Sequence, residues 1–199
     1  AITALGTGSD DGKIGDDVKL FLIGGMVAGI QKTGTTSSDY ALIVDADTSG
    51  ELGTNLNPWR VTVLLADGTE ETLAVHKDSK NGSSAVVKAD IDEGKLVKYS
   101  MNSGKIKITE VKTGAAITGN ENKGGLWDQD TRKFTYTGAT TALANTDSVL
   151  FVKVNDDYYA YKLTDLGDIA NTTAGRVATA FVNDDNIVKA AYAELNKKP

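Results

Sequence analysis

Apolar and polar residues alternate with a period of two along most of this chain, and Gly-, Asn- and Asp-rich turns cut the alternation into short runs. That period matches the pleat of a strand, whose successive side chains point to opposite faces, and not the 3.6-residue turn of a helix. The clearest instance runs from Trp59 to Val75. Val61-Thr-Val-Leu-Leu65 leads into Asp67-Gly68, and Thr69 to Val75 leads away. Asp-Gly tolerates the positive φ angles of a type I′ turn, so this segment is expected to be a two-strand hairpin. Leu96–Val111 repeats the pattern around Asn102-Ser103-Gly104, Val149–Leu163 around Asn155-Asp156-Asp157, and Arg176–Tyr192 around Asn183-Asp-Asp-Asn186. Val149-Leu-Phe-Val152 is apolar at every position and is expected to be a central strand buried on both faces. Further strands are expected at Val18–Ile23, Met26–Lys32, Tyr40–Val44 and Lys133–Thr137. Helix is confined to single turns near Lys88–Glu93 and Thr164–Asp168. The expected fold is all-β: hairpin-rich antiparallel sheets forming a sandwich or a barrel, with little helix.

A length of 199 residues suffices for one large or two small cores. The division expected from turn and linker composition is a linker over 1–15, a first β domain over 16–115, a linker over 116–125 and a second β domain over 126–199. The net charge of −6 argues against neutralising a nucleic-acid backbone or docking on an anionic membrane. Membrane insertion is not expected either: the apolar run Leu20–Ile30 falls short of the roughly 18 residues of a span and contains three glycines.

The chain has no cysteine and one histidine, His76. Thiolate chemistry and cysteine metal sites are thereby excluded, and a zinc site would need carboxylates for its remaining ligands. His76 with Ser79 or Ser83 and an aspartate could be drawn as a triad, but no Gly-x-Ser-x-Gly elbow accompanies them. His76 reads as a surface-loop residue and the chain as a non-enzyme. No cofactor is expected, and calcium is the one ion the acidic clusters suggest. Asp45-Ala-Asp47-Thr-Ser49-Gly50 places oxygens at the first, third and fifth positions of an EF-hand-like loop with glycine at the sixth, but Leu56 stands where the twelfth needs Glu. Asp45 and Asp47 are therefore the candidate metal ligands. Asp10-Asp11, Asp16-Asp17, Asp156-Asp157 and Asp184-Asp185 are further oxygen clusters that also suit turns. For a ligand, exposed aromatic faces would stack on sugars. Trp59 and Trp127 are the candidate glycan contacts, with Tyr158, Tyr159 and Tyr161 beside them.

Three segments carry a family likeness. Ile91-Asp-Glu-Gly94-Lys-Leu-Val97-Lys-Tyr99-Ser-Met-Asn-Ser-Gly104-Lys-Ile106 and Val61-Thr-Val-Leu-Leu-Ala-Asp67-Gly68-Thr69 resemble hairpins of Gram-positive S-layer-domain surface proteins. Leu163-Thr-Asp-Leu166 followed by Phe181-Val-Asn-Asp-Asp185 looks similar. The likeness is to β-rich regions outside the wall-anchoring modules. It implies an extracellular, cell-wall-associated building block, with no catalytic residues to carry over. Its partners would be other domains of the same surface polypeptide, neighbouring surface proteins, and glycans. The expected function is a structural or display segment, and the competing expectation is a carbohydrate-binding module for wall or host glycans, assisted by calcium.

Overall fold

β-branched and aromatic residues at alternate positions favour a pleated surface with at least one buried face. The computed structural model describes residues 18–23, 26–32, 39–116, 126–136, 140–169 and 177–199, and within them the chain is all-β. The strands are β1 Val18–Ile23, β2 Met26–Lys32, β3 Asp39–Asp47, β4 Arg60–Leu64, β5 Glu70–Ala74, β6 Lys80–Asn81, β7 Ser84–Ala85 and β8 Lys95–Asn102. There follow β9 Lys105–Thr113, β10 Ala115–Ala116, β11 Trp127–Asp128, β12 Lys133–Tyr136, β13 Thr140–Val154, β14 Asp157–Lys162, β15 Val177–Val182 and β16 Ile187–Leu195. Helix is limited to single 3₁₀ turns at Lys88–Asp90 and Leu163–Asp165, where single turns were expected. The expected linker over 1–15, residues 117–125 of the second linker, and the pairs Asp10-Asp11 and Asp16-Asp17 lie outside the described residues.

The chain divides into two compact units, residues 1–38 and 39–199. In the first, β1 and β2 form an antiparallel hairpin whose register shifts between Phe21 and Leu22. In the second, β3, β4 and β5 form a meander, and β8 returns to lie beside β3, giving the order β5-β4-β3-β8-β9. Three hairpin-connected strands with the fourth beside the first make a Greek key. Bulges after Ile43 and between Lys98 and Tyr99 bend the sheet, since an extra residue on one strand increases local coiling. The sheet curls far enough for Val75, just past β5, to bridge Ile106 of β9 in parallel. Ala41, Ile43, Val61, Val63, Val97, Tyr99, Ile106 and Ile108 fill the interior of this partly closed barrel.

The other sheet runs β10-β15-β16-β13-β12-β11, with β14 also paired to β13. Its long strand β13 is kinked between Ala144 and Val149. Residues before the kink pair with β12, and residues after it pair with β14. The segment Leu150–Val152 is fully buried, as its apolar run predicted. The antiparallel expectation needs one refinement: β13 and β16 pair in parallel, from Leu143↔Ile187 to Val154↔Leu195. The connection through β14 and β15 is long enough for such a return, which a tight turn is not. Trp127, Phe134, Leu150, Val152, Leu163 and Val188 belong to the core on one face of this sheet.

A third apolar layer joins the two sheets. Leu42, Leu64 and Leu96 from the barrel meet Phe151, Phe181, Ala190 and Tyr192 from the mixed sheet. Above this layer, Lys153 Nζ donates to Glu93 Oε1 at 2.6 Å and the Tyr158 hydroxyl donates to the same oxygen, so a loop of the barrel is clamped to the β13–β14 hairpin.

Candidate functional site

The outer edge of β9 shapes a cleft among the described residues. A strand edge exposes unpaired backbone groups that must be covered or solvated. The segment following β5 provides the cover. His76 N donates to Ile106 O at 2.8 Å, Ser79 Oγ accepts from Ile108 N at 3.1 Å, Asn81 Oδ1 accepts from Val111 N at 3.2 Å, and Gly82 N donates to Thr109 O at 3.3 Å. Backbone and side chain thus alternate along β9 where a partner strand would have supplied backbone alone. Asn81 also donates through Nδ2 to Asp90 Oδ1 at 2.9 Å, and Asp90 Oδ2 accepts from Val87 N, which ties the β6–β7 hairpin to the 3₁₀ turn.

Between this segment and β9 lies a cleft of about 640 Å³ whose lining includes Lys77, Asp78, Lys80, Gly82, Lys107 and Thr109. Lys107 alternates with the buried Ile106 and Ile108, so its side chain stands outside the barrel. Thr109 is the bulged residue of β9, and its hydroxyl donates to Lys98 O at 3.1 Å. Lys77 is fixed from the other side. Gly53 sits at φ +80°, and a Cβ there would fall 2.3 Å from Lys77 Cβ, so only glycine lets the 51–57 loop pack so closely. Three lysines and the single acid Asp78 line the cleft, in a chain of net charge −6.

Of the residues singled out by sequence, Ser79 lines this cleft. His76 stands beside this cleft with Nδ1 accepting from Asp78 N at 3.1 Å. Ser79 is fully buried, and besides the bond from Ile108 N its hydroxyl reaches Ile106 O at 3.5 Å. That hydroxyl braces the barrel edge and is not presented as a nucleophile. Asp45 and Asp47 are exposed residues of β3, paired in register with Thr62 and Arg60. They are held along an extended strand where the expected loop would coil. Asp47 accepts from Ser49 N at 2.9 Å, and the hydrogen bonds from Ser49 hold its carboxyl below the ordinary value. Among the described residues no three acid, histidine or cysteine side chains converge as metal ligands would.

Trp127, read from sequence as a glycan contact, is a core residue. It is 1% exposed and its indole N–H donates to Leu166 O at 3.1 Å, so neither ring face is open to a sugar. The flanking Gly-Gly-Leu and Asp-Gln-Asp suggested exposure, but the ring is turned inward by the short β11–β12 hairpin. Trp59 is half-buried against the barrel core, with its N–H donating to Gly50 O at 2.8 Å and Lys88 Nζ 6.0 Å from its ring centre. Tyr159 and Tyr161 lie on one side of β14, ring centres 6.3 Å apart, and pack against the mixed-sheet core. Tyr158, on the opposite side, joins the inter-sheet clamp, and burial together with its bond to Glu93 pushes its hydroxyl up to about 12. The lysine cleft was not foreseen. Lys77 and Lys80 sit among polar turn residues and Lys107 between two isoleucines of a strand, so no local charge run marks the three. No family model, curated protein or solved structure matches the chain.

Proposed function

We propose that this chain is a non-catalytic structural and display segment of a bacterial cell-surface protein of the S-layer-domain type. It would lie in the extracellular wall layer, with other domains of its own polypeptide and neighbouring surface proteins as partners. The observation that carries the reading is the joining of the two sheets of residues 39–199 by a shared apolar layer and the Glu93–Lys153–Tyr158 clamp. Such a joint resists hinge motion, which suits a module that spaces or presents other domains. The hairpins resembling those of S-layer-domain proteins support the same assignment. The carbohydrate-binding alternative draws no support from Trp127, which is buried, and Trp59 offers only a half-buried ring.

Fractionation of the source cells with an antibody to this segment, combined with protease treatment of intact cells, tests the assignment. Protein enriched in the wall fraction and removed by external protease is the expected result. Protein confined to the cytosol and protected from protease would refute it.

A further inference from the structure

We propose that the cleft between the Lys77–Gly82 segment and β9 is a binding site for oxyanions, phosphate or carboxylate groups, held by Lys77, Lys80 and Lys107. The chain has 27 acidic against 21 basic residues, so a concavity with three ammonium groups runs counter to the charge of the whole molecule. Among the described residues Lys112 pairs with Glu110 and Lys153 with Glu93, and the three cleft lysines, like most of the other lysines, make no ion pair. Asp78, the one acid in the cleft, has its Oδ2 3.8 Å from His76 Nδ1.

The backbone carrying these lysines is also anchored. Gly53 packs on Lys77, Ser79 and Asn81 fasten the chain around Lys80 to β9, and Lys107 stands on a strand of the barrel itself. Three basic residues against one acid, Asp78, thus line an anchored concave frame, and an excess of one sign of charge in a cleft concentrates its field on a counter-ion. Lysine presents a compact point charge where arginine would present a planar fork. The cleft therefore selects for charge density more than for geometry, and either oxyanion class satisfies it. The site is independent of where the chain resides in the cell, so a test on purified protein bears on it alone.

Amide shifts of ¹⁵N-labelled protein, followed during separate titrations with tripolyphosphate and with citrate, provide that test. Saturable shifts confined to residues 77–82 and 107–109, weakening as sodium chloride is raised, are expected with at least one of the two. Saturation by tripolyphosphate alone assigns phosphate, and saturation by citrate alone assigns carboxylate. Lys80→Glu combined with Lys107→Glu should weaken binding by at least about tenfold, since each change replaces an attraction with a repulsion. The neutral pair Lys80→Gln and Lys107→Gln should weaken it in the same direction, with thermal unfolding unchanged. Lys133→Glu combined with Lys162→Glu, the same charge change on the other sheet, should leave affinity intact. Shifts spread over lysines outside the cleft, equal loss in the two charge-reversal pairs, or no saturable binding by either probe would overturn the proposal.

Discussion

Ser79 illustrates how a residue's role depends on what the fold brings to it. A serine three positions after the only histidine invites a catalytic reading, yet its hydroxyl is sealed against the backbone of β9, 27 and 29 residues away. Replacing it with alanine leaves the buried Ile108 N–H without that partner. Ser79→Ala is therefore expected to cost about 1–3 kcal/mol in urea unfolding. A variant as stable as the parent would mean that the bond contributes nothing to the edge. Trp127 makes the same point from the apolar side. Its neighbours in sequence are glycine and aspartate, but its neighbours in space are the mixed-sheet core.

At the scale of elements, the hairpins appear where alternation and turn residues placed them, but the turn chemistry differs in one case. The Asp67-Gly68 loop is not a two-residue I′ turn. Gly68 N donates to Leu65 O at 3.0 Å and Leu65 N to Thr69 O at 2.8 Å, a type I turn followed by a bulge with Gly68 at φ +85°. Asp67 accepts from both the backbone and the hydroxyl of Thr69, which stabilises the longer loop. The I′ geometry appears instead at Ser103-Gly104, where both φ values are positive. The Asn183–Ile187 loop repeats the hydrogen bonds of the Asp67-Gly68 loop, with Asn186 at φ +59° in the place of Gly68. Gly68→Ala should accordingly lose about 1 kcal/mol or slightly more, because a Cβ disfavours the left-handed region. Asn186→Gly relieves that penalty and should be neutral within a few tenths of a kcal/mol, apart from the Asn186 side-chain bond to Thr141 O. Thermal or urea midpoints of the two variants check the contrast, and equal losses would show that the two loops do not share one constraint.

At the scale of the molecule, the layer of Leu42, Leu64, Leu96, Phe151, Phe181 and Tyr192 packs the two sheets against one shared core and should make them unfold as one. Trp59 reports on the barrel and Trp127 on the mixed sheet. In Trp127→Phe and Trp59→Phe, each left with one tryptophan, the urea transition by fluorescence should coincide with that by far-ultraviolet circular dichroism. Separate transitions would mean that the sheets unfold independently. The clamp above this layer adds a pH dependence. Hydrogen bonds from Lys153, then from Tyr158, hold the Glu93 carboxyl below its ordinary value of 4.5. A carboxyl depressed in the folded state stabilises fully above its ordinary value, and the contribution is lost as pH falls through the folded-state value. Lys153 is raised chiefly by its bond to Glu93, so its share holds below its ordinary 10.5 and fades only as pH rises above that. The groups are partly exposed and water screens them, so Glu93→Gln should cost less than about 1 kcal/mol near neutrality. The difference from the parent should shrink as pH falls below 4.5 and through the folded-state value, where the parent carboxyl takes up its proton. A difference that stays constant with pH would place the effect in packing and not in charge.

The sequence alone determined the class of fold, the main hairpins and the burial of Leu150–Val152, because alternation, turn residues and apolar runs act over a few neighbouring positions. It did not determine which strands meet across long separations. The parallel pairing of β13 with β16, the bridge closing Val75 onto Ile106 and the apolar layer between the sheets each depend on residues far apart in the chain. The fate of the chemically suggestive side chains lay beyond it for the same reason. Asp45 and Asp47 match the opening positions of a calcium loop, but pairing with β4 draws them straight. Lys77, Lys80 and Lys107 share no motif and meet only when the segment after β5 folds along the open edge of β9. Local patterns fix the strands, and the burial of their faces and edges, which is a property of the whole chain, fixes which side chains remain available to a ligand.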